Sequence, residues 1–502
     1  MTTGALAALA ERALRWSAAT TVARFALQMC AQIALARLLG PENYGIYGIG
    51  LAALTFVTFL SGASFSWTLM LLPRLTDEDI RFAFTWQLVV GCACALGLYA
   101  AAPALAQFFG DDRVAAMVRL LSVASLLTAA SAPATCLLQR DLNFRALGLI
   151  QLAGYAVGYI AVGVPMALAG HGATTLGVAA VVQAAAVLVA SYVARPHPLR
   201  PLFSHAGARA ALATGRTVCL TNAVNWALAN VDRVLIGRVL NAHAVGLYNI
   251  AYNLAAVPNT LLIGAIHPTL LATGAKLQDD PQRLGQGWQV ALSSALVFAT
   301  PAAVVLALLS HDLVQVLYGP QWSESAWVLG VLFLCLPAWV SWAISTPVLW
   351  NSGRQHFEYL LQLPLLALAL PAWWIVAPAG IRGIAVVSAA LIFARAAAII
   401  IAAIRVLGLR FRVVAIPLAR GLALAAASGA AVLGARHLLA GEALWVALVG
   451  EGTAAAATLL ILATAWPRLL GTDAHDVLTR ALPFLRSRRL PPFAPRPGSV
   501  PR

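Results

Sequence analysis

Charge is scarce in this chain of 502 residues: Asp, Glu, Lys and Arg together make up 10%, against about 25% in a soluble globular domain. So little polar material cannot cover a water-facing surface. With 61% hydrophobic residues and a mean hydropathy of +0.83, the solvent must be lipid. Lysine is nearly absent, Lys276 being the single example. Cysteine is sparse, and Cys30, Cys92, Cys94, Cys136, Cys219 and Cys335 all fall in apolar runs. Cys92 and Cys94 stand two apart on a helix and cannot face each other, so the cysteines read as small packing residues rather than redox or metal groups. The histidines show no HExxH-type spacing, and no GxSxG, Walker or dinucleotide fingerprint occurs in a suitable context. Long outer loops are missing as well. The longest, 310–325, holds neither Lys nor Arg. These absences exclude a soluble enzyme, a disulfide scaffold and a metal-dependent hydrolase.

What is present is a series of apolar runs of about 20 residues, the length that carries a helix across a hydrocarbon core of about 30 Å. Punctuation by polar residues, Pro and Gly divides them into fourteen spans between residues 16 and 466. The opening "MTTGALAALAERALRW" is interrupted too early by Glu11 and Arg12 to be a cleaved signal peptide. The net charge of +15 is not a nucleic-acid footprint, because its distribution is topological. Counted from an inside N-terminus, 23 of the 33 basic residues lie in inner segments and six in outer loops. That bias places both termini of a multi-pass membrane protein in the cytoplasm.

A short hairpin is written twice. "ARLLGPENYGIYGIG" (36–50) and "GRVLNAHAVGLYNIA" (237–251) align Arg37, Leu39, Gly45, Tyr47 and Ile49 with Arg238, Leu240, Gly246, Tyr248 and Ile250, all at an offset of 201. Six spans separate the copies, so both have the same orientation, as in a parallel repeat of a transporter. The expected fold is an all-α polytopic membrane protein of about 14 transmembrane helices. Two pseudo-symmetric six-helix bundles, 1–194 and 217–406, surround a central cavity. A Pro-rich basic cytoplasmic linker (195–216) joins them, two further helices occupy 407–466, and a basic Pro-rich cytoplasmic tail (467–502) follows, whose last stretch, "RSRRLPPFAPRPGSVPR" (486–502), is expected to be disordered along the inner leaflet. "GPEN" is expected to turn after Pro41 ends the first span. Tyr47 and Tyr248 read most simply as interfacial anchors, with Arg37 and Arg238 snorkelling.

The same offset relates polar positions inside helices. Thr20, Thr21, Arg24 and Gln32 fall on Thr221, Asn222, Asn225 and Arg233. Thr20, Arg24, Gln28 and Gln32 recur every four residues as one stripe. Thr221, Asn222, Asn225, Asp232 and Arg233 share an arc of about 120°, and Asn249, Tyr252, Asn253 and Asn259 continue the pattern. Such stripes are costly against lipid and must line a protein interior or a wet cavity. Arg395 and Arg420 suit snorkelling or lipid head groups. Asp232 suits a pairing with a nearby Arg, and Glu358, Gln362 and Glu451 suit structural roles.

Several segments together resemble one family: "IALARLLGPENYGIYGIG", "FFGDDRVAAMVRLLS", "LLQRDLNFRALG", "NVDRVLIGRVLNAHAVGLYNIAYNLAAVP" and "LYGPQWSESAWVLGVL…NSGRQHF". Their order is similar to that of bacterial polysaccharide flippases, the Wzx-type O-antigen and exopolysaccharide translocases of the colanic acid exporter branch. That superfamily also holds lipid II flippases and multidrug antiporters. The chain departs from the usual second hairpin at Asn241 and His243. The resemblance implies a substrate, an undecaprenyl-pyrophosphate-linked oligosaccharide moved from the cytoplasmic to the periplasmic leaflet by alternating access. It implies as partners membrane lipids, a polysaccharide polymerase and its chain-length machinery, with no nucleic acid and no cofactor. Under this reading Arg24, Gln28, Gln32, Asn222, Asn225, Asp232, Arg233, Asn249, Tyr252 and Asn253 bind substrate, guanidinium groups taking pyrophosphate and amides and Tyr taking sugars. Asp232 or Glu451 would serve proton or Na⁺ coupling, with the membrane potential as the alternative. Two other classes stay open: a membrane polymerase or ligase, disfavoured by the short outer loops, and a drug or lipid II-type transporter of the same superfamily.

Overall fold

The computed structural model describes residues 3–61, 69, 75–204, 226–228, 230–275, 280–354 and 356–481. Every regular element among them is helical. Ten helices are long and apolar enough to cross a membrane, or eleven if one bent pair is a single span. The described residues divide into two compact units. One comprises Met1–Ile250, Leu317–Trp322 and Trp373–Ile384; the other comprises Ala251–Val316, Ser323–Ala372 and Ala385–Arg502.

The first unit opens with α1 (Thr3–Ser61), which is really two helices joined at Gly40 (φ 72°). The expected four-residue turn is therefore a single residue. Gly40 takes the left-handed backbone that a side chain disfavours. Pro41 starts the next helix rather than ending the last, since a first-turn Pro gives up no hydrogen bond and has its φ preset. In the second copy the equivalent residue is Asn241, whose Oδ1 accepts from the Ala244 N–H at 2.9 Å. A side-chain cap thus does there what glycine does in the first copy.

Helix α2 (Asp77–Phe109) begins with a reciprocal cap between Thr76 and Asp79 and ends at the left-handed Gly110. It packs along α3 (Arg113–Arg140). Lipid supplies no hydrophobic drive between helices, so close contact rests on small residues. A Cβ on Gly91 of α2 would lie 2.5 Å from that of Ala129 on α3. Polar residues of α3 are tolerated because Ser122, Thr128, Ser131 and Thr135 return their hydroxyl protons to carbonyls three or four residues back. Helix α4 (Phe144–Leu168) contains a π-helical segment, Ala156–Gly163, and α5 (Thr174–Ala194) packs against it. The expected linker is not slack at its start. Arg81 donates to the carbonyls of Arg200 and Pro201, Trp86 to that of Phe203, and the Leu202 N–H to Thr85 Oγ1, so 200–203 lie as a strap along α2. The rest of the expected seventh span is described at 226–228 and as helix α6 (230–239).

Helix α7 (Ala242–Ala275) starts in the first unit and continues into the second. The second unit adds α8 (Pro281–Leu308), most of α9 (Ser310–Tyr318), then α10 (Ser325–Leu334) and α11 (Leu336–Asn351). The last two meet at 42°, because Pro337 has no N–H and its ring conflicts with the carbonyl four residues back. Helices α12 (His356–Val376), α13 (Ile381–Leu407), α14 (Arg412–Leu438) and α15 (Leu444–Ala465) follow. The unit's core gathers Trp288, Leu292, Leu296, Leu336, Ile344 and Ile400. The expected tail begins with helix α16 (Pro467–Ala481), and the stretch expected to be disordered, 486–502, lies outside the described residues. Its Leu470, Ala474 and Leu478, four apart, close on Val297, Leu424 and Ala463. Arg420, expected to snorkel, lies against Gly471, where a Cβ would sit 2.0 Å from its Nη1.

Candidate functional site

The polar stripe of α1 enters a cavity of about 350 Å³ inside the first unit. Thr20, Thr21 and Arg24 of α1 line it with Thr135 and Gln139 of α3 and Phe144, Leu147, Gly148 and Gln151 of the α4 end. Local chemistry shapes the wall. Thr20 donates to the Trp16 carbonyl at 2.7 Å, and Arg145 stands 4.8 Å over the Trp16 ring. Gly148 lets α4 close on α1, since a Cβ there would sit 2.2 Å from Thr20 Oγ1. Arg24 makes no ion pair or hydrogen bond among the described residues, and no lining residue is acidic. The cavity therefore presents one uncompensated guanidinium, two carboxamides and three hydroxyls. That is a donor-rich wall suited to an oxyanion with neutral polar groups attached.

Of the expected site residues, Arg24 alone lines this cavity. Gln28 is half-buried between it and the hairpin. Gln32 stands further along, with its side-chain amide beside the Tyr44 hydroxyl. Tyr44 belongs to an aromatic column: it meets Trp322 edge-on at 6.0 Å and Tyr47 at 6.2 Å, Tyr47 shares a 2.9 Å hydrogen bond with the Tyr159 hydroxyl, and Tyr159 stacks on Tyr155 at 4.5 Å. Asn222 and Asn225, like Thr221, lie outside the described residues. Asp232 is 5% exposed and accepts from the Tyr248 hydroxyl at 2.7 Å and from the Arg233 N–H. Arg233 reaches Asn230 at 3.4 Å. Asn249 packs on Gly48, where a Cβ would lie 1.9 Å from its Nδ2. Tyr252 and Asn253 belong to the second unit, Tyr252 edge-on to Trp339 at 6.1 Å and Asn253 exposed.

The hairpin residues are not interfacial decorations. Tyr248 is fully buried and Tyr47 is bonded to Tyr159. Arg37 donates to the Leu317 carbonyl at 2.7 Å and accepts at its own carbonyl from Gln321. Arg238 lies over the Phe108 ring at 5.4 Å. Near the same hairpin Arg113 bridges Glu42 and Asp111, and its hydrogen bonds hold the Asp111 carboxyl below the usual carboxylate range. The two copies meet through glycine: a Cβ on Gly45 would lie 1.7 Å from the Ala242 carbonyl oxygen, and one on Gly246 would lie 1.9 Å from that of Pro41.

Glu451, 1% exposed, is gripped by Arg436 through two bonds of 2.8 and 3.0 Å, and Arg436 also reaches Asp312 and the Leu308 carbonyl. The sequence reading missed Thr135, Gln139 and Gln151. Thr135 and Gln151 are polar residues inside apolar stretches, the same signal that marked Arg24, whereas Gln139 borders the polar junction between two spans; at the repeat offset Thr135 and Gln139 fall on Leu336 and Val340.

A family model described as a polysaccharide biosynthesis protein matches residues 34–327. The succinoglycan biosynthesis transport protein ExoT of Rhizobium meliloti (strain 1021) is 26% identical over 323 residues, 64% of this chain and 65% of that protein. The lipopolysaccharide biosynthesis protein WzxC of Escherichia coli (strain K12) is 23% identical over 319 residues, 63% of this chain and 65% of that protein. The match thus spans 65% of the length of both relatives. Among solved structures, the lipid II flippase MurJ in an inward closed conformation superposes with a TM-score of 0.72 at 12% identity, over 90% of this chain and 98% of that one. This last likeness is one of fold.

Proposed function

This chain belongs to the polysaccharide biosynthesis protein family, and we propose that it is a flippase carrying a lipid-linked oligosaccharide from the inner to the outer leaflet of a bacterial membrane. Undecaprenyl pyrophosphate is the carrier, both termini are cytoplasmic, and the protein performs no covalent chemistry. The observation that carries the reading is Arg24: a guanidinium without a bonded partner among the described residues, half-buried in a cavity lined by amides and hydroxyls and by no described acid. A charge placed within a membrane span costs about 2.5–3.5 kcal/mol on insertion scales. Two phosphates arriving from the substrate offset that cost, and they do so only while substrate is bound. Gln139 and Gln151 then serve the first sugar. Coupling to protons or Na⁺ falls to Asp232 rather than Glu451, whose carboxylate is already forked by Arg436.

The test is complementation of a strain lacking this gene, with lipid-linked oligosaccharide located by side of the membrane. Wild type restores surface polymer. Arg24→Ala leaves single repeat units on the cytoplasmic side and lowers export about ten- to a hundredfold, the worth of a charged hydrogen bond, while Arg24→Lys retains part of it. Normal export by the inserted Arg24→Ala protein would remove the assignment. Repeat units reaching the periplasmic side without the protein would remove the flippase itself.

A further inference from the structure

A second cation stands in the second unit with nothing of opposite charge bonded to it. Arg395 of α13 donates from Nε to Gln362 Oε1 of α12 at 2.9 Å. Gln362 is 1% exposed, and its own amide donates to the Glu358 carbonyl at 2.9 Å, which fixes its oxygen toward the arginine. The guanidinium carbon lies 5.6 Å from the centre of the Trp342 ring on α11. Tyr252 of α7 and the Glu358 carboxylate are within electrostatic reach. The Glu358 carboxylate, however, takes a 2.7 Å hydrogen bond from Trp350 Nε1 and forms no ion pair with Arg395. The two terminal amino groups of Arg395 have no bonded partner among the described residues. The indole Nε1 of Trp342 is likewise buried without an acceptor, and Tyr252 meets Trp339 edge-on.

A neutral amide orients a guanidinium but does not neutralise it, and an aromatic face compensates only part of its desolvation. The free edge of the Arg fork matches the spacing of two oxygens of a carboxylate or phosphate. Trp342, Trp339 and Tyr252 supply the flat apolar faces against which sugar rings pack. We propose that Arg395, held by Gln362 and framed by Trp342 and Tyr252, is a subsite for an acidic sugar, one carrying a carboxylate or a phosphate substituent. This deepens the flippase reading, on which it rests, by naming the class of glycan.

The experiment uses the full chain in nanodiscs of phosphatidylcholine, with binding followed by calorimetry and by tryptophan emission. The probes are a tetrasaccharide of glucuronic acid, its carboxyl-reduced neutral counterpart, and inorganic pyrophosphate. Wild type is expected to bind the acidic tetrasaccharide about tenfold more tightly than the neutral one. Arg395→Gln removes that preference, Arg395→Lys keeps part of it, and neither alters pyrophosphate binding, which Arg24→Ala removes instead. Trp342→Phe, a gentler change, weakens both sugars alike. Equal binding of the two tetrasaccharides by wild type, or an undiminished preference in Arg395→Gln, overturns the subsite. A response to added phosphatidylglycerol that depends on Arg395, without one to the acidic sugar, overturns it in favour of a lipid head-group site. Absence of pyrophosphate binding in wild type, with the acidic preference intact, counts against the Arg24 reading and leaves this subsite standing.

Discussion

Gly45 and Gly246 each sit where the other repeat copy's helix begins: Gly45 against the carbonyl of Ala242, Gly246 against that of Pro41. The offset of 201 that relates the two glycines also relates Pro41 to Ala242, so each contact is the counterpart of the other. A methyl group at either position would overlap a backbone oxygen, which cannot rotate away. Gly45→Ala and Gly246→Ala are each expected to lower stability by about 1–3 kcal/mol through overpacking. Thermal unfolding of the purified protein in detergent reads this directly, and an unchanged melting temperature in both variants would contradict so close an approach.

Tyr248→Phe removes the 2.7 Å donor from the buried Asp232 carboxylate without changing shape. The expected cost is about 1–3 kcal/mol, the penalty of an underbonded buried acceptor. Asp232→Asn in the same background should recover part of it, since an amide tolerates the missing proton better than a carboxylate does. A double-mutant cycle showing no coupling between the two positions would contradict this contact.

Gly148→Val places bulk against Thr20 Oγ1, at the wall of the Arg24 cavity. Export should fall severalfold or more. Because α4 has to move, the loss should appear together with a lowered melting temperature. Gln151→Leu keeps the volume but removes the amide, and is expected to reduce export while leaving melting unchanged. That split between the two variants separates a packing role from a binding role.

His197 makes the strap sensitive to pH. Burial pushes its imidazole below the usual value near 6.5; the Pro198 carbonyl opposes this, and Arg195 adds to it. The folded strap therefore prefers the neutral ring, packed between Phe84 and Tyr192 at 5.1 and 5.3 Å. The released strap takes up a proton first as pH falls through about 6.5, so the strap's stability is complete above that value and declines below it. Hydrogen exchange at the Leu202 amide, corrected for its intrinsic rate, should be faster at pH 5.5 than at pH 7.5. His197→Phe should abolish the difference.

Much of the fold was legible because lipid imposes long apolar helices, and the helix breaks carry their own chemistry. The doubled hairpin was visible in the residue string, but that Gly40 alone makes its turn, that Asn241 caps the second copy and that α10 and α11 bend at Pro337 were not read from it. Arg24 was legible too, since a charge in an apolar run must have a reason. What escaped is what depends on partners far along the chain. Nothing local to Tyr47 says that its hydroxyl meets Tyr159, and nothing local to Asp232 says that the Tyr248 hydroxyl reaches it. Thr135, Gln139 and Gln151 reach the same cavity from two other helices, and single polar residues carry no period to betray a shared face. Helix α16 was not anticipated because the tail was read by its basic, Pro-rich end, which passes over the four-residue spacing of Leu470, Ala474 and Leu478 ahead of it.

Helix α2 has 33 residues, about 50 Å at 1.5 Å each, well beyond a hydrocarbon layer of about 30 Å. Its first turn carries Asp77, Glu78 and Asp79, which belong in water, and Trp86 follows two turns later, a residue type that settles at the lipid boundary. The excess length is therefore at the capped end, and that end is where residues 200–203 are tied down by Arg81, Thr85 and Trp86. Arg81 and Arg200 thus meet the three carboxylates' end of α2 on the length of helix that exceeds a hydrocarbon layer, and a charged collar of that kind belongs at the polar boundary of a bilayer rather than within it.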